Sequence, residues 1–349
     1  MTMRNRIVGG LSILMLGFVA LLGGLPRIAA QDKQPPKETK PAAPQFLYGH
    51  DLKVRPGGES DWVKANKIGV EVFKDEPTKS IIAISEVGAI SVVPAGPVGS
   101  DKTCKWLTAH DLATRKAGEL EFTQKTKRFG VEMFRDLGSN RLLYVSENGN
   151  IAFAPITAEL VTDRGPKWHH ALEPRVRAPD QSNFDNARKF GLEIFKDENT
   201  GGLIYITEVG SISTAKAPPT APDPKKIAPP KTAYGLVLRV RGAAEENFTE
   251  KTKKIGVEVF EDPNANTLFY ITETGHVAAV PNPGGFIPEA RGVTWKSAMA
   301  LKARKGGVKE FENARKFGIE VFQDNRTGNL IFITETGAIA VLPNPNPSK

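Results

Sequence analysis

The sequence predicts an all-β fold of five tandem repeats, each of about sixty residues and about four strands, and three observations carry that prediction. The segments IGVEVFKD, FGVEMFRD, FGLEIFKD, IGVEVFED and FGIEVFQD place Gly69, Gly130, Gly191, Gly256 and Gly318 at intervals of 61, 61, 65 and 62 residues. Self-similarity at such a period marks a repeat architecture. Within every copy, short β-branched and aromatic runs are bounded by Asn, Asp and Gly, as strands joined by tight turns require. Gly and Pro supply 33 and 26 of the 349 residues, which excludes a bundle of long helices.

Residues 1–30 differ in kind from the rest. Arg4 and Arg6 precede an uncharged stretch from Ile7 to Leu25, and small residues follow at Ala29 and Ala30. This is the layout of a secretory signal peptide cleaved after Ala30. The alternative is an uncleaved N-terminal anchor, because the apolar stretch is just long enough to span a bilayer. Cleavage would leave a secreted, periplasmic or extracellular protein with no stable membrane span. It would also remove Arg4, Arg6 and Arg27, so that 47 basic against 39 acidic residues becomes 44 against 39, a net charge of +5. Residues 31–45, polar and Pro-rich, read as a disordered tether, and residues 344–349 as a disordered tail.

The five-repeat domain covers residues 46–343, in units of approximately 46–105, 106–167, 168–231, 232–294 and 295–343. Each unit opens with an alternating strand that ends in Arg55, Arg115, Arg177, Arg241 or Arg304; Pro174 interrupts the third, which places this strand at a sheet edge. Seven residues on comes an aromatic: Trp62, Phe122, Phe184, Phe248 or Phe311. A basic piece such as TQKTKRFG is long enough for one or two helical turns. Three short strands then follow, typified by GVEVF, LIYIT and AIAVLP, and a Pro-rich connector leads onward.

Two architectures fit. In the first, each unit is one blade of a closed five-bladed β-propeller, with GVEVF innermost, the Arg-ending strand outermost, and the first strand free to complete the last blade. In the second, five small β-rich modules are strung on Pro-rich linkers. Strands apolar on both faces favour the propeller, as does the marginal stability of a fifty-residue module without disulfide or metal. Five four-stranded repeats in an exported chain resemble the five-bladed propeller lectins, which bind sugars between blades. The resemblance rests on repeat number and strand order and transfers no binding residue.

Three acids recur in every copy with identical spacing. They are the Glu of GVEVF (Glu71, Glu132, Glu193, Glu258, Glu320), an Asp four residues on (Asp75, Asp136, Asp197, Asp262, Asp324), and the Glu before the ExG turn (Glu86, Glu147, Glu208, Glu273, Glu335). DENTGGLIYITE after Asp197 partly matches a calcium-binding loop, but the other copies break the pattern and a strand follows where that loop needs a helix. The Asp series is therefore expected to stabilise hairpin turns. The two Glu series form a candidate repeated acidic surface that could ring a central channel and hold a cation. The competing reading pairs them with the strand-ending Arg and with Lys67, Arg128, Lys189, Lys254 and Lys316 as internal salt bridges.

The four Trp fall on repeat positions that hold aromatics and read as core rather than sugar-stacking platforms. His50 and His110 share a position held elsewhere by Leu172, Leu236 and Met299, which marks a packing site; His169, His170 and His276 show no metal-ligand spacing. The lone Cys104 excludes an intramolecular disulfide and reads as a free or capped thiol. Basic pieces alternate with acids, so no nucleic-acid partner is expected. No phosphate loop, HExxH or nucleophile elbow is present, and no catalytic residue or cofactor is assigned. The sequence thus predicts a secreted, non-catalytic repeat protein with a multivalent binding or scaffold role at the cell envelope, toward a glycan or an envelope protein. The alternatives are a purely structural or adhesive protein and a metal-dependent enzyme using the repeated acids.

Overall fold

Five four-stranded antiparallel sheets stand around a common axis as the blades of a closed β-propeller. The computed structural model describes residues 43–156, 164–218, 227–284 and 290–344. The expected signal peptide, most of the tether and most of the tail lie outside the described residues. Among the described residues no helix is long and apolar enough to cross a membrane.

The first blade runs β1 (Gln45–Val54), β2 (Asn66–Asp75), β3 (Ser80–Ser85) and β4 (Ile90–Pro94), each strand paired with the next. The second repeats this with β5 (Cys104–Thr114), β6 (Lys127–Asp136), β7 (Arg141–Ser146) and β8 (Ile151–Pro155). In the third, Pro174 splits the outer strand into β9 (Pro166–Leu172) and β10 (Arg175–Val176). β10 pairs with β11 (Arg188–Lys189), followed by β12 (Leu192–Asp197), β13 (Gly202–Thr207) and β14 (Ile212–Lys216). The fourth holds β15 (Lys231–Val240), β16 (Lys253–Asp262), β17 (Thr267–Thr272) and β18 (Val277–Pro281), and the fifth β19 (Val293–Ala303), β20 (Arg315–Asp324), β21 (Leu330–Thr334) and β22 (Ile339–Leu342).

Three sequence expectations change. The innermost strand is the fourth of each blade and not GVEVF: β4, β8, β14, β18 and β22 contact one another around the axis, while GVEVF lies one strand in from the rim. The alternation of small and branched residues in AIAVLP suits that crowded position. The basic piece forms no helical turn, because its last residues already belong to the second strand, as Lys127 and Arg128 do to β6. Among the described residues no strand is exchanged between the ends of the chain. The ring closes instead by direct packing of the fifth blade on the first.

The core lies between blades. Each of five hydrophobic clusters draws on two consecutive blades, as when Leu52, Val70 and Ala83 of the first meet Phe134, Val145 and Phe153 of the second. This is why the second and third strands are buried on both faces. It also explains the recurrent glycine. A β-carbon on Gly130 would run into the main-chain carbonyl of Arg55 in the preceding blade, and Gly69, Gly191, Gly256 and Gly318 meet Arg304, Arg115, Arg177 and Arg241 in the same way. Adjacent blades approach so closely at this level that no side chain fits.

Candidate functional site

The recurring residues converge on the seams between blades. Arg55, directly after β1, reaches across to Glu132 in β6: Nε donates to Oε1 at 2.7 Å and Nη2 to Oε2 at 3.2 Å. The same two-pronged bond joins Arg115 to Glu193, Arg177 to Glu258, Arg241 to Glu320, and Arg304 to Glu71 across the closing seam. All five carboxylates are buried. The hydrogen bond to Glu132 raises the Arg55 guanidinium above its ordinary value, whereas burial outweighs Arg304 and raises the Glu71 carboxyl. Each Arg also lies over the aromatic seven residues on, at 4.4 Å for Trp62 and 4.6 Å for Phe311.

An aromatic from the next blade covers this pair at four seams. Trp106 packs edge-on against Trp62, Trp168 against Phe122, Trp295 against Phe248, and Phe46 against Phe311. The three indoles donate Nε1–H to Glu132, Glu193 and Glu320 at 2.6–2.7 Å. Of the four Trp, Trp295 is half-buried against the cluster between the fourth and fifth blades, as the sequence reading expects; the other three are not core. Trp62, Trp106, Phe122 and Trp168 are 36–47% exposed and stand on the rim.

The second acidic series caps backbone rather than pairing with the second base. Glu147 accepts from the amides of Gly57 in the preceding blade (2.6 Å) and Gly130 in its own. Glu208 accepts from Ala117 and Gly191, and Glu86 from Gly306 and Gly69; Glu335 accepts from Ala243. Arg128 meets Asp111 instead. Glu71, Glu132, Glu193, Glu258 and Glu320 are therefore buried in seams, with Glu86, Glu147, Glu208, Glu273 and Glu335 half-buried at the seam edges. The expected acidic surface around a central channel does not exist at the axis. The axis is lined by inner-strand residues such as Ile90, Ser91, Ser213 and Thr214, and Ser91, Ser213 and Thr214 bond to main-chain groups of neighbouring blades.

The Asp series does hold the hairpin turns, and it holds neighbouring blades as well. Asp197 accepts from the Asn199 amide at 2.9 Å and the Thr200 hydroxyl at 2.9 Å within its own turn, and from Tyr144 of the preceding blade at 2.5 Å. Tyr48 reaches Asp136, Tyr205 reaches Asp262, and Tyr270 reaches Asp324. His50 comes within 3.4 Å of Asp136, and His170 Nε2 lies 3.1 Å from Asp262. His50 and His110 are buried, as a packing site requires, and face Asp136 and Asp197 of the next blade at 3.4 and 3.7 Å, whereas His170 makes a closer polar contact between blades. Burial pushes the Asp136 carboxyl up, but the nearby His50 imidazole and bonds from Ser139 and Tyr48 outweigh it and leave it below the usual range; Asp197 and Asp262 follow suit. Among the described residues, no group of three or more His, Cys, Asp or Glu converges as a metal site.

Between the first two blades a cleft of about 200 Å³ opens beside Arg55, lined by Ser60, Ala109, Asp111 and Glu132 among others.

No protein-family model matches the chain, and no curated protein matches it. Two solved structures show a remote likeness. A streptogramin B lyase is 15% identical, with a TM-score of 0.12 over 86% of this chain and 75% of that one. A catalytically inactive virginiamycin B lyase from Staphylococcus aureus, solved with quinupristin, is 12% identical, with a TM-score of 0.12 over 84% of this chain and 98% of that one. At such TM-scores neither likeness bears on what this chain does; its architecture stands on its own geometry as a five-bladed repeat protein.

Proposed function

We propose that the protein is a secreted, non-catalytic propeller that works as a multivalent binding or scaffold component of the cell envelope, toward glycan or protein. The observation that carries this is the ring of half-exposed aromatic pairs at the blade seams: Trp62 with Trp106, Phe122 with Trp168, Phe248 with Trp295, and Phe46 with Phe311. Aromatic rings at a solvent boundary supply large, rigid contact area at low entropic cost. Their repetition around a ring lets several weak contacts add by avidity. The recurrent acids are already engaged by Arg, Trp or backbone amides, which favours a recognition role over catalysis. Export rests on the layout of residues 1–30.

Glycan-array and envelope-extract binding would be measured for the wild type and for Trp62→Ala with Phe122→Ala, with fold checked by circular dichroism. Binding that falls at least tenfold in the double variant supports the reading. Wild-type protein that retains neither glycan nor envelope protein overturns it.

A further inference from the structure

The five seams are not equal. At the position of Phe46, Trp106, Trp168 and Trp295, the fourth blade has Thr232. The registers agree: Thr232 faces Phe260 as Trp106 faces Phe134, Trp168 faces Phe195 and Trp295 faces Phe322. Thr232 is exposed. The seam between the third and fourth blades therefore keeps Arg177, its buried partner Glu258, and Phe184 under the guanidinium at 4.4 Å, but among the described residues β15 places no ring above them. The exposures agree with this: the Arg177 side chain is 23% exposed, against 8% for Arg241 and 12% for Arg115. Glu258 Oε2 accepts from Arg177 Nη2 at 3.2 Å, and the indole donor that Glu132, Glu193 and Glu320 each receive is missing there.

The neighbouring level of this seam is incomplete too. The turn amide that serves the second Glu of the next blade is replaced by Pro179, which has no N–H. Glu273 keeps the Gly256 amide of its own blade, and burial raises its carboxyl, with Asp180 adding to the effect.

We propose that this seam is a notch for the indole side chain of a tryptophan-bearing peptide. The chain itself shows the bound arrangement three times. An indole placed by the next blade donates N–H to the buried carboxylate, stands edge-on to the aromatic of the preceding blade, and lies about 5.7–5.8 Å from the guanidinium at the Trp106, Trp168 and Trp295 seams. Glu258, Phe184 and Arg177 present the same carboxylate, ring and cation with that place open. A phenyl ring would fill the space, as Phe46 does beside Phe311, but would leave the carboxylate without its donor. The inference does not depend on the glycan or envelope role of the rim pairs, since it concerns the one seam that lacks such a pair.

N-acetyl-tryptophanamide is the probe, titrated against the full chain and followed by NMR of the protein. The expected result is saturable binding that perturbs residues near Arg177 and Glu258. N-acetyl-phenylalaninamide and the 1-methylindole analogue, which lack the donor, should bind at least about tenfold more weakly. Thr232→Trp should fill the notch from within, raising the melting temperature and abolishing binding. Phe184→Ala, which leaves Glu258 and Arg177 paired, should weaken binding severalfold in a protein that still folds. Three outcomes would overturn the proposal: no saturable binding by the wild type, equal affinity for the methylated analogue, or undiminished binding by Thr232→Trp. Stabilisation by Thr232→Trp without probe binding would show a plain gap in the rim and would also overturn it. Binding of a monosaccharide in place of the indole probe would overturn it while leaving the proposed glycan role standing.

Discussion

Arg241 and Glu320, one on each side of the seam between the fourth and fifth blades, form the most enclosed of the five Arg–Glu pairs. Nε and Oε1 are 2.7 Å apart, with the side chains 8% and 1% exposed. Trp295 adds an indole N–H to the same carboxylate at 2.7 Å. Removing one partner of a buried pair leaves an uncompensated charge, at a cost of about 3–5 kcal/mol. Glu320→Ala should lose that much stability in chemical denaturation. Arg177→Ala, at the most open of the five seams, should lose less. Equal losses at the two seams would refute the link drawn between enclosure and cost.

The glycine of the repeat makes a sharper test, because it separates sterics from charge. Gly130→Ala puts a methyl group against the Arg55 carbonyl, a backbone atom that cannot rotate away. The blades would have to part, and overpacking of this kind costs about 1–3 kcal/mol or more. Gly58, which has open space around its α-carbon but a φ of 81°, should respond to alanine through backbone strain alone and more mildly. Urea midpoints of the two variants decide this, and a Gly130→Ala midpoint at or above that of Gly58→Ala would contradict the close-approach argument.

Acid should destabilise the ring in two stages. Burial, helped by Lys253, lowers the His276 imidazole to about 4, against about 6.5 in an unfolded chain. The unfolded state therefore binds the proton first as pH falls. The contribution of neutral His276 is complete above about 6.5 and is lost on the way down to about 4, at up to roughly 1.4 kcal/mol per pH unit. Asp136, Asp197 and Asp262 are depressed in the folded state, so their contribution is present above the unfolded value near 3.9 and fades as pH falls through their lower folded values. Melting temperatures from pH 8 to pH 3 should fall in both ranges. His276→Ser, which places the residue found at Ser211, should make the upper range shallower without abolishing it, because burial and His170 lower His169 to about 4 as well, and Asp197→Asn should make the lower range shallower; a His276→Ser curve parallel to wild type would refute the assignment.

How much of this was legible depends on what the repeat displays. Gly130 and its counterparts recur in all five copies, so the fold class and strand count follow from spacing, and the Arg and Glu that recur beside them suggest an ion pair. That Arg55 pairs with Glu132 of the next blade rather than with Glu71 of its own is a long-range fact that local periodicity cannot show. The order of strands about the axis was misjudged for a related reason. GVEVF is buried on both faces, as an innermost strand would be, but burial between two blades leaves the same pattern one strand further out. Tyr144, Tyr205 and Tyr270 were within reach: a Tyr in three copies, with Asp in all five, is a signal of a buried hydrogen bond. Phe332 takes the Tyr position in the fifth blade, and its neighbour Asp75 bonds within its own turn, to Thr78.

Cys104 permits a last test of burial against composition. A chain whose first thirty residues read as an export signal and that carries one cysteine invites the expectation of a thiol free to react or to join two chains. The structure places Cys104 at the start of β5, packed against the cluster between the first two blades. Burial pushes its thiol well above the usual range, and the Asp136 carboxylate pushes further in the same direction. The thiolate is the reactive form, and each unit of pKa above ambient pH reduces it about tenfold. Reaction with 5,5′-dithiobis(2-nitrobenzoate) at pH 8 should therefore be at least about tenfold slower for the folded protein than in 6 M guanidinium chloride, and air oxidation should yield no disulfide-linked dimer under native conditions. Equal rates in the two states, or a dimer that dithiothreitol reverses, would show that the thiol is open to solvent and that the seam at β5 is looser than the packing around Cys104 implies.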